Sequence, residues 1–155
     1  MQPEYVPPSA TLTEPVPKPR SSIVAVLLGG LVVDTVGTIL MAILAAVVVS
    51  AVVASRGGGE AEVTAALGSL AFLTSTFAIG EILVVAGGYV AARWARHRPV
   101  AHGMAAGALS LVLGLPFLLL PGAMEPVWPT VLSLIAQVPL AALGGHLAGR
   151  RVASR

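Results

Sequence analysis

Two acidic side chains interrupt long apolar stretches of the sequence. Asp34 lies within an apolar run from Ile23 to Ala54, and Glu81 lies within a second run from Leu67 to Ala92. Acids inside membrane helices are costly and often mark a proton or ion pathway. The pattern favours a proton- or cation-coupling site in a small carrier or channel. The structural alternative is a pair of protonated acids that fasten helices through hydrogen bonds, in a protein that transports nothing.

The two acids are predicted to lie at the same depth of a membrane. Asp34 is about 12 residues from the start of its run and Glu81 about 12 residues before Arg93, some 18 Å at ~1.5 Å per residue. That depth is near the midplane of a ~30 Å hydrocarbon core. Polar residues of the other apolar runs fall at or within a turn of this level. The sequence therefore predicts one polar layer, formed by Asp34, Glu81, Gln137, Thr38 and Ser110.

The polar layer contains no opposite charge, because no Lys or Arg occurs inside any apolar run. Burial in a low-dielectric layer disfavours the charged form of an acid, and two such acids repel each other. We therefore expect at least one acid to be protonated near neutral pH, or a cation to bind between them. Four helices are few for a carrier, so a transporting form is expected to be a homo-oligomer.

The composition is that of a single small membrane domain. Of 155 residues, 56% are hydrophobic and 10% are charged, which is typical of membrane proteins. The absence of cysteine excludes disulfides and thiolate metal sites. The three histidines of the chain have no carboxylate nearby in sequence. We therefore predict that the protein binds no metal or cofactor and has no enzymatic activity. The basic residues cluster between apolar runs, which indicates membrane topology rather than nucleic-acid binding.

The apolar runs predict an all-α, polytopic fold with four transmembrane helices. A span needs about 20 residues, and glycines 57–59 predict a turn after the first run. Pro116 predicts a kink or an early end of the third helix. The predicted organisation is a Pro-rich, disordered cytoplasmic tail at 1–21, a membrane domain at 22–150 and a basic cytoplasmic tail at 151–155. The spans are placed at about 23–49, 67–92, 100–120 and 130–149.

Basic residues orient the helices. All Lys and Arg except Arg56 fall on one side of the predicted membrane, and positive charge accumulates on the cytoplasmic side. Both termini are therefore predicted to be cytoplasmic, in a plasma membrane of bacterial type. Five arginines are expected to contact anionic lipid headgroups, namely Arg93, Arg96, Arg98, Arg150 and Arg151.

Glycines repeat along the chain in a way that predicts two tandem helical hairpins. The second run ends in AGGYVAARWA and the fourth in LGGHLAGRRVA, while the first and third each carry two glycines seven residues apart. Small residues let membrane helices approach closely. We expect packing within the chain, with dimerisation through one of these faces as the alternative. The residues concerned are Gly30, Gly37, Gly87, Gly88, Gly103, Gly107, Gly144, Gly145 and Gly149.

The segment GGYVAARWARHRPVAHGMAAG, from Gly87 to Gly107, resembles small four-span bacterial integral membrane proteins of uncharacterised families. The shared features are a GG-aromatic-x-A motif, a basic loop and an HG-x3-G start of the next helix. The rest of the chain is similar only in topology. The resemblance implies a bacterial plasma-membrane protein and implies no activity, so it assigns no catalytic residue.

Overall fold

Helices form all the regular structure in the described part of the chain. The computed structural model describes residues 21–119 and 127–153, which confirms the all-α prediction for these segments. The predicted Pro-rich tail, apart from Ser21, and the last two residues of the basic tail lie outside the described residues. The helices are α1 (Ser22–Arg56), α2 (Glu60–Leu67), α3 (Leu70–Ala95), α4 (Pro99–Gly114), a 3-10 helix (Leu115–Leu119) and α5 (Val127–Ala153).

Three of these helices, α1, α3 and α5, are long and apolar enough to cross a membrane. Large apolar side chains cover the outside of the bundle, and Ile82 and Ile135 are each 68% exposed. A water-soluble protein rarely exposes so much contiguous apolar surface. Length, composition and exposure together are those of a membrane protein. The fourth apolar helix, α4, has only 16 residues.

Glycines end α1 where the sequence predicts a turn. Gly57 and Gly58 have φ values of 81° and 72°, a left-handed conformation that glycine adopts without steric cost. The chain then forms α2, a short helix that the apolar pattern does not predict. Gly68 ends α2, and the Ser69 side chain accepts a hydrogen bond from the Phe72 N–H at 3.3 Å. This cap starts α3 at Leu70, whereas the apolar run from which the second span is predicted starts at Leu67.

Proline explains the short α4. Pro99 occupies its first turn, where the missing N–H costs nothing. Pro116 lies two residues after the α-helix has ended, in the 3-10 helix, because proline cannot donate the next α-helical hydrogen bond. The early end predicted from Pro116 is therefore confirmed. Pro139, by contrast, lies inside a continuous α5.

The central pair of the bundle is α3 and α4, which contact each other and both outer helices, α1 and α5. Within the described segments, α1 and α5 do not contact each other. Each outer helix therefore packs in the groove between α3 and α4. A side chain of α1 can therefore reach α5 only across the space between α3 and α4.

Small residues bring the helices together in one half of the bundle only. We name the half that ends at the loop 96–98 the closed half, and the opposite half, where α5 begins, the open half. The buried apolar side chains of the described residues are alanines except for Val84, and all lie in the closed half or at its boundary. Among the described side chains of α1, none after Gly30 is buried. Close backbone approach at glycine and alanine thus closes one half, while the described residues of the other half are less buried and line a cleft.

Candidate functional site

A polar cleft occupies the start of the open half. It has a volume of about 380 Å³ and is lined by α1, α3, α4, the 3-10 helix and α5. Leu118 and Thr130 lie at the end away from the loop 96–98, so the cleft extends from the middle of the bundle towards the start of α5. Its polar lining consists of Asp34, Thr38, Ser110, Thr130, Ser133 and Gln137.

Asp34 lies at the inner end of this cleft and is hydrogen-bonded to the neighbouring helix. The Ser110 hydroxyl donates to Asp34 Oδ1 at 2.6 Å, which joins α1 to α4. The second carboxyl oxygen, Oδ2, is buried and has no hydrogen-bond partner among the described residues. Such a buried oxygen is costly unless something pairs with it. The carboxyl group therefore has room for one more ligand.

Glu81 makes a matching contact between the other two parallel helices. The Ser133 hydroxyl donates to Glu81 Oε1 at 2.7 Å, which joins α3 to α5. Glu81 is only 8% exposed, and its Oε2 also has no partner in the described segments. Gly80 and Val84 line the cleft, but Glu81 itself does not. Glu81 is therefore at the level of the cleft, turned towards α5 behind Ser133.

The remaining members of the predicted polar layer take different roles. The Thr38 hydroxyl lines the cleft but donates to the main-chain carbonyl of Asp34 at 2.7 Å. Gln137 also lines the cleft, and its amide makes no side-chain hydrogen bond within the described chain. Thus four of the five predicted residues line one cleft. Glu81 is connected to this cleft only through its hydrogen bond with Ser133.

Thr130 and Ser133 line the cleft but are missing from the predicted layer, and of the two it is Ser133 that binds a carboxyl group. It lies one helical turn before Gln137, on the same face of α5. Spacing of three or four residues places side chains on one face, so the signal was present in the sequence. The sequence does not give the rotation of α3, which turns Glu81 towards this serine rather than towards Asp34.

The two serine–carboxyl bonds are expected to contribute measurably to stability. Replacing Ser110 or Ser133 with alanine removes the donor to a buried carboxyl oxygen, which we expect to cost about 0.6–1.7 kcal/mol each, the range for hydrogen bonds between membrane helices. Ser75→Ala is the matched control, because its exposed hydroxyl bonds only the Ala71 carbonyl of its own helix. Thermal unfolding in detergent measures the difference. Equal melting temperatures for Ser110→Ala and Ser75→Ala would contradict the assignment.

The donor set of the cleft suits a proton or a small cation. Carboxylate, hydroxyl and amide oxygens are the ligands of hard cations, and a carboxyl group can also bind and release a proton. In residues 21–119 and 127–153, no three His, Cys, Asp or Glu side chains form a group that could hold a metal ion.

All nine glycines predicted to pack helices lie against a neighbouring helix. A Cβ at Gly88 or Gly103 would meet the Ala141 carbonyl, and one at Gly144 would meet the Val85 carbonyl. Gly37 is the loosest, since a Cβ at this position would lie 3.7 Å from the Leu83 side chain. The others are Gly30 against Leu109, Gly87 against Val33, Gly107 and Gly145 between α4 and α5, and Gly149 against Pro99.

The arginines expected at lipid headgroups lie at the closed end. Arg93, Arg96, Arg98 and Arg150 are exposed, and the side chain of Arg151 lies outside the described residues. None of the four forms an ion pair within the described segments, because the acids there are confined to the polar layer and to α2. Their contact with headgroups stays a prediction.

A search for similar proteins found no matching family, no matching curated protein and no matching solved structure. The resemblance of Gly87–Gly107 to small four-span bacterial membrane proteins therefore stays a prediction. The geometry of the cleft is the basis on which a function can be argued.

Proposed function

We propose that the protein is a four-span integral protein of a bacterial plasma membrane. The fourth span would be α4 with the 3-10 helix that continues it: 16 and 5 residues extend roughly 34 Å at the rise of each helix type. That length is enough for a ~30 Å core. Trp128 supports the opposite boundary, since it packs on Phe77 with ring centroids 6.1 Å apart at the start of α5, and tryptophan favours membrane interfaces.

Both termini would be cytoplasmic, with the closed half facing inward. The support is the concentration of arginine at the closed end and the preference of basic residues for the cytoplasmic side. The open half, with α2 and the cleft, would then face the periplasmic side.

Two tandem hairpins, α1 with α3 and α4 with α5, would form the bundle. Contacts between Gly29 and both Gly87 and Ala106 fit α1 lying antiparallel to α3 and parallel to α4. The bonds Asp34–Ser110 and Glu81–Ser133 each join one hairpin to the other. Corresponding helices of the two hairpins would then lie side by side.

We infer that the protein is a proton- or cation-linked transport component whose binding group is Asp34. The observation that carries this proposal is the buried, unpartnered Oδ2 of Asp34 at the inner end of a polar cleft. Proton and ion pathways place acids in cavities of this kind, away from lipid. Transport would require the closed half to part, since Gly29 and Gly87 hold α1 against α3 just beyond Asp34.

The second candidate function is that of a non-transporting accessory protein. It is favoured by the symmetry of the two serine–carboxyl bonds, each of which fastens one hairpin to the other. Hydrogen bonds between membrane helices contribute only about 0.6 kcal/mol on average. This contribution is small compared with the cost of keeping two acids in an apolar layer. The accessory function also assigns no role to the cleft.

Blocking the cleft tests the transport proposal. The chain has no cysteine, so Thr38→Cys offers one thiol in the cleft. We expect purified protein in vesicles to carry protons or Na⁺ above the protein-free background. A bulky thiol reagent should abolish this flux in Thr38→Cys. Gly59→Cys, in the exposed turn before α2, is the control that reacts without losing flux.

The comparison uses an internal pH-sensitive or Na⁺-sensitive dye under a potassium diffusion potential. Flux that survives complete modification of Thr38→Cys would exclude the cleft as the route. A parent protein with no more proton or Na⁺ flux than empty vesicles would leave the accessory function as the better explanation.

A further inference from the structure

A second pocket lies at the closed end, well separated from the acidic cleft. It has a volume of about 290 Å³ and lies between the end of α3, the start of α4 and the last turns of α5. The lining residues are Ala92, Arg96, His97, Arg98, Pro99, Ala148 and Gly149.

The loop that carries the charged side chains is held by its own hydrogen bonds. The N–H of Arg96 donates to the Ala92 carbonyl at 3.2 Å, and the N–H of His102 donates to the Arg98 carbonyl at 3.2 Å. His97 Nδ1 lies 2.7 Å from the Ala95 carbonyl, which requires Nδ1 to be the protonated nitrogen. Its Nε2 lies 3.3 Å from the Ser22 hydroxyl. The loop is thus fixed to α1, α3 and α4.

Two arginines in this loop have an unusual backbone conformation. Arg96 has φ of 59° and Arg98 has φ of 43°, and they are the non-glycine residues of the described chain with positive φ. Residues other than glycine rarely adopt this backbone conformation. Residues with a strained backbone cluster at active sites and ligand-binding sites. The loop would be less strained with glycine at either position.

The charge of the pocket is unbalanced. Arg96 and Arg98 form no ion pair within residues 21–119 and 127–153, and no Asp or Glu of these segments lies at the closed end. The pocket also adjoins the N-terminus of α4 at Pro99, which carries a partial positive charge. Arginine pairs with phosphate through a planar fork of N–H donors. Arg96 and Arg98 are complementary to an anion with several oxygens, while most of the remaining lining of the pocket is apolar.

We propose that this pocket binds a phosphate group through Arg96 and Arg98, either the headgroup phosphate of an anionic phospholipid or free phosphate. Both sources present the same oxygens to the guanidinium groups. A general attraction of basic residues to the membrane does not produce such a site, since it acts on every arginine of the closed end alike. Arg93 and Arg150 are exposed at the same end but do not line the pocket.

The test compares arginines inside and outside the pocket. Purified full-length protein in uncharged detergent micelles is titrated with phosphatidylglycerol, and bound lipid is counted by native mass spectrometry. We expect one tight site in the parent, and Arg96→Gln and Arg98→Gln each to weaken it by about tenfold or more. The matched controls Arg93→Gln and Arg150→Gln remove the same charge outside the pocket and should change affinity less than about threefold.

A second arm identifies the source of the phosphate. Inorganic phosphate that displaces the lipid at millimolar concentration, and binds alone with the same dependence on Arg96, assigns the pocket to free phosphate. Lipid that resists displacement assigns it to the headgroup. Either result supports a phosphate pocket. Equal losses in all four variants, or no tight binding of either probe, would overturn it.

Arg96→Gly separates the lost guanidinium from a misfolded loop. Glycine suits the left-handed conformation, so this variant is expected to melt at or above the temperature of the parent. It should nevertheless bind phosphatidylglycerol as weakly as Arg96→Gln. A glycine variant that keeps the affinity of the parent would show that the Arg96 side chain does not hold the phosphate.

Discussion

Alanine in place of Gly88 or Gly144 is expected to destabilise the bundle by about 3 kcal/mol or more, and to leave little folded protein. A Cβ at Gly88 would overlap the Ala141 carbonyl oxygen, and one at Gly144 would overlap the Val85 carbonyl oxygen. Both obstacles are helix backbone, which cannot rotate aside as a side chain does. The only relief is separation of α3 from α5.

A glycine elsewhere in α3 provides the control. A Cβ at Gly80 meets no atom within 4 Å, and alanine favours a helix over glycine by about 1 kcal/mol. Gly80→Ala should therefore be neutral or stabilising. Thermal unfolding and the monodisperse fraction after extraction measure both variants. If Gly88→Ala had the same melting temperature as Gly80→Ala, the backbone contact between α3 and α5 would be absent in the membrane.

The second large effect is expected on flux. Asp34→Asn should lower proton or cation flux to the background of protein-free vesicles, a loss of about 100-fold or more for removal of the one group that exchanges protons. An amide is nearly the same size and still accepts the hydrogen bond from Ser110, so stability should change by less than about 1 kcal/mol. Loss of flux would then reflect lost chemistry and not lost folding.

Glu81→Gln is expected to have a smaller effect on flux than Asp34→Asn. Glu81 lies behind Ser133 and does not line the cleft. It can therefore change the electrostatic potential at Asp34 without lying on the path of the proton or cation. Glu60→Gln is the control, because it makes the same substitution at an exposed position of α2. Asp34→Asn with the flux of the parent would support the accessory function instead.

The sequence predicts those parts of the fold that depend on one helix at a time. Apolar length identifies α1, α3 and α5, the glycines at 57–59 identify the turn, and Pro116 identifies the end of α4. The face shared by Asp34 and Thr38 also follows from helical periodicity alone. These features need no knowledge of a partner helix.

The features that the sequence did not predict depend on how helices pack against one another. Equal depth for Asp34 and Glu81 follows from counting residues, but the rotation of α3 turns Glu81 away from the cleft. The open half is less buried because small residues concentrate in the closed half, and no single helix specifies how closely its neighbours approach. The pocket at Arg96 depends on a left-handed loop that nothing in its residue types requires.

The length of α1 sets a condition on the surrounding lipid. Its 35 residues span roughly 52 Å, against a hydrocarbon core of ~30 Å. A lone helix relieves such an excess by tilting. Here Ser22 meets His97 and Gly29 meets Gly87, so α1 cannot tilt without its neighbours. Its distal turns, which contact α2 and expose Val47 and Val53, would then either project beyond the hydrocarbon core or favour a locally thickened bilayer.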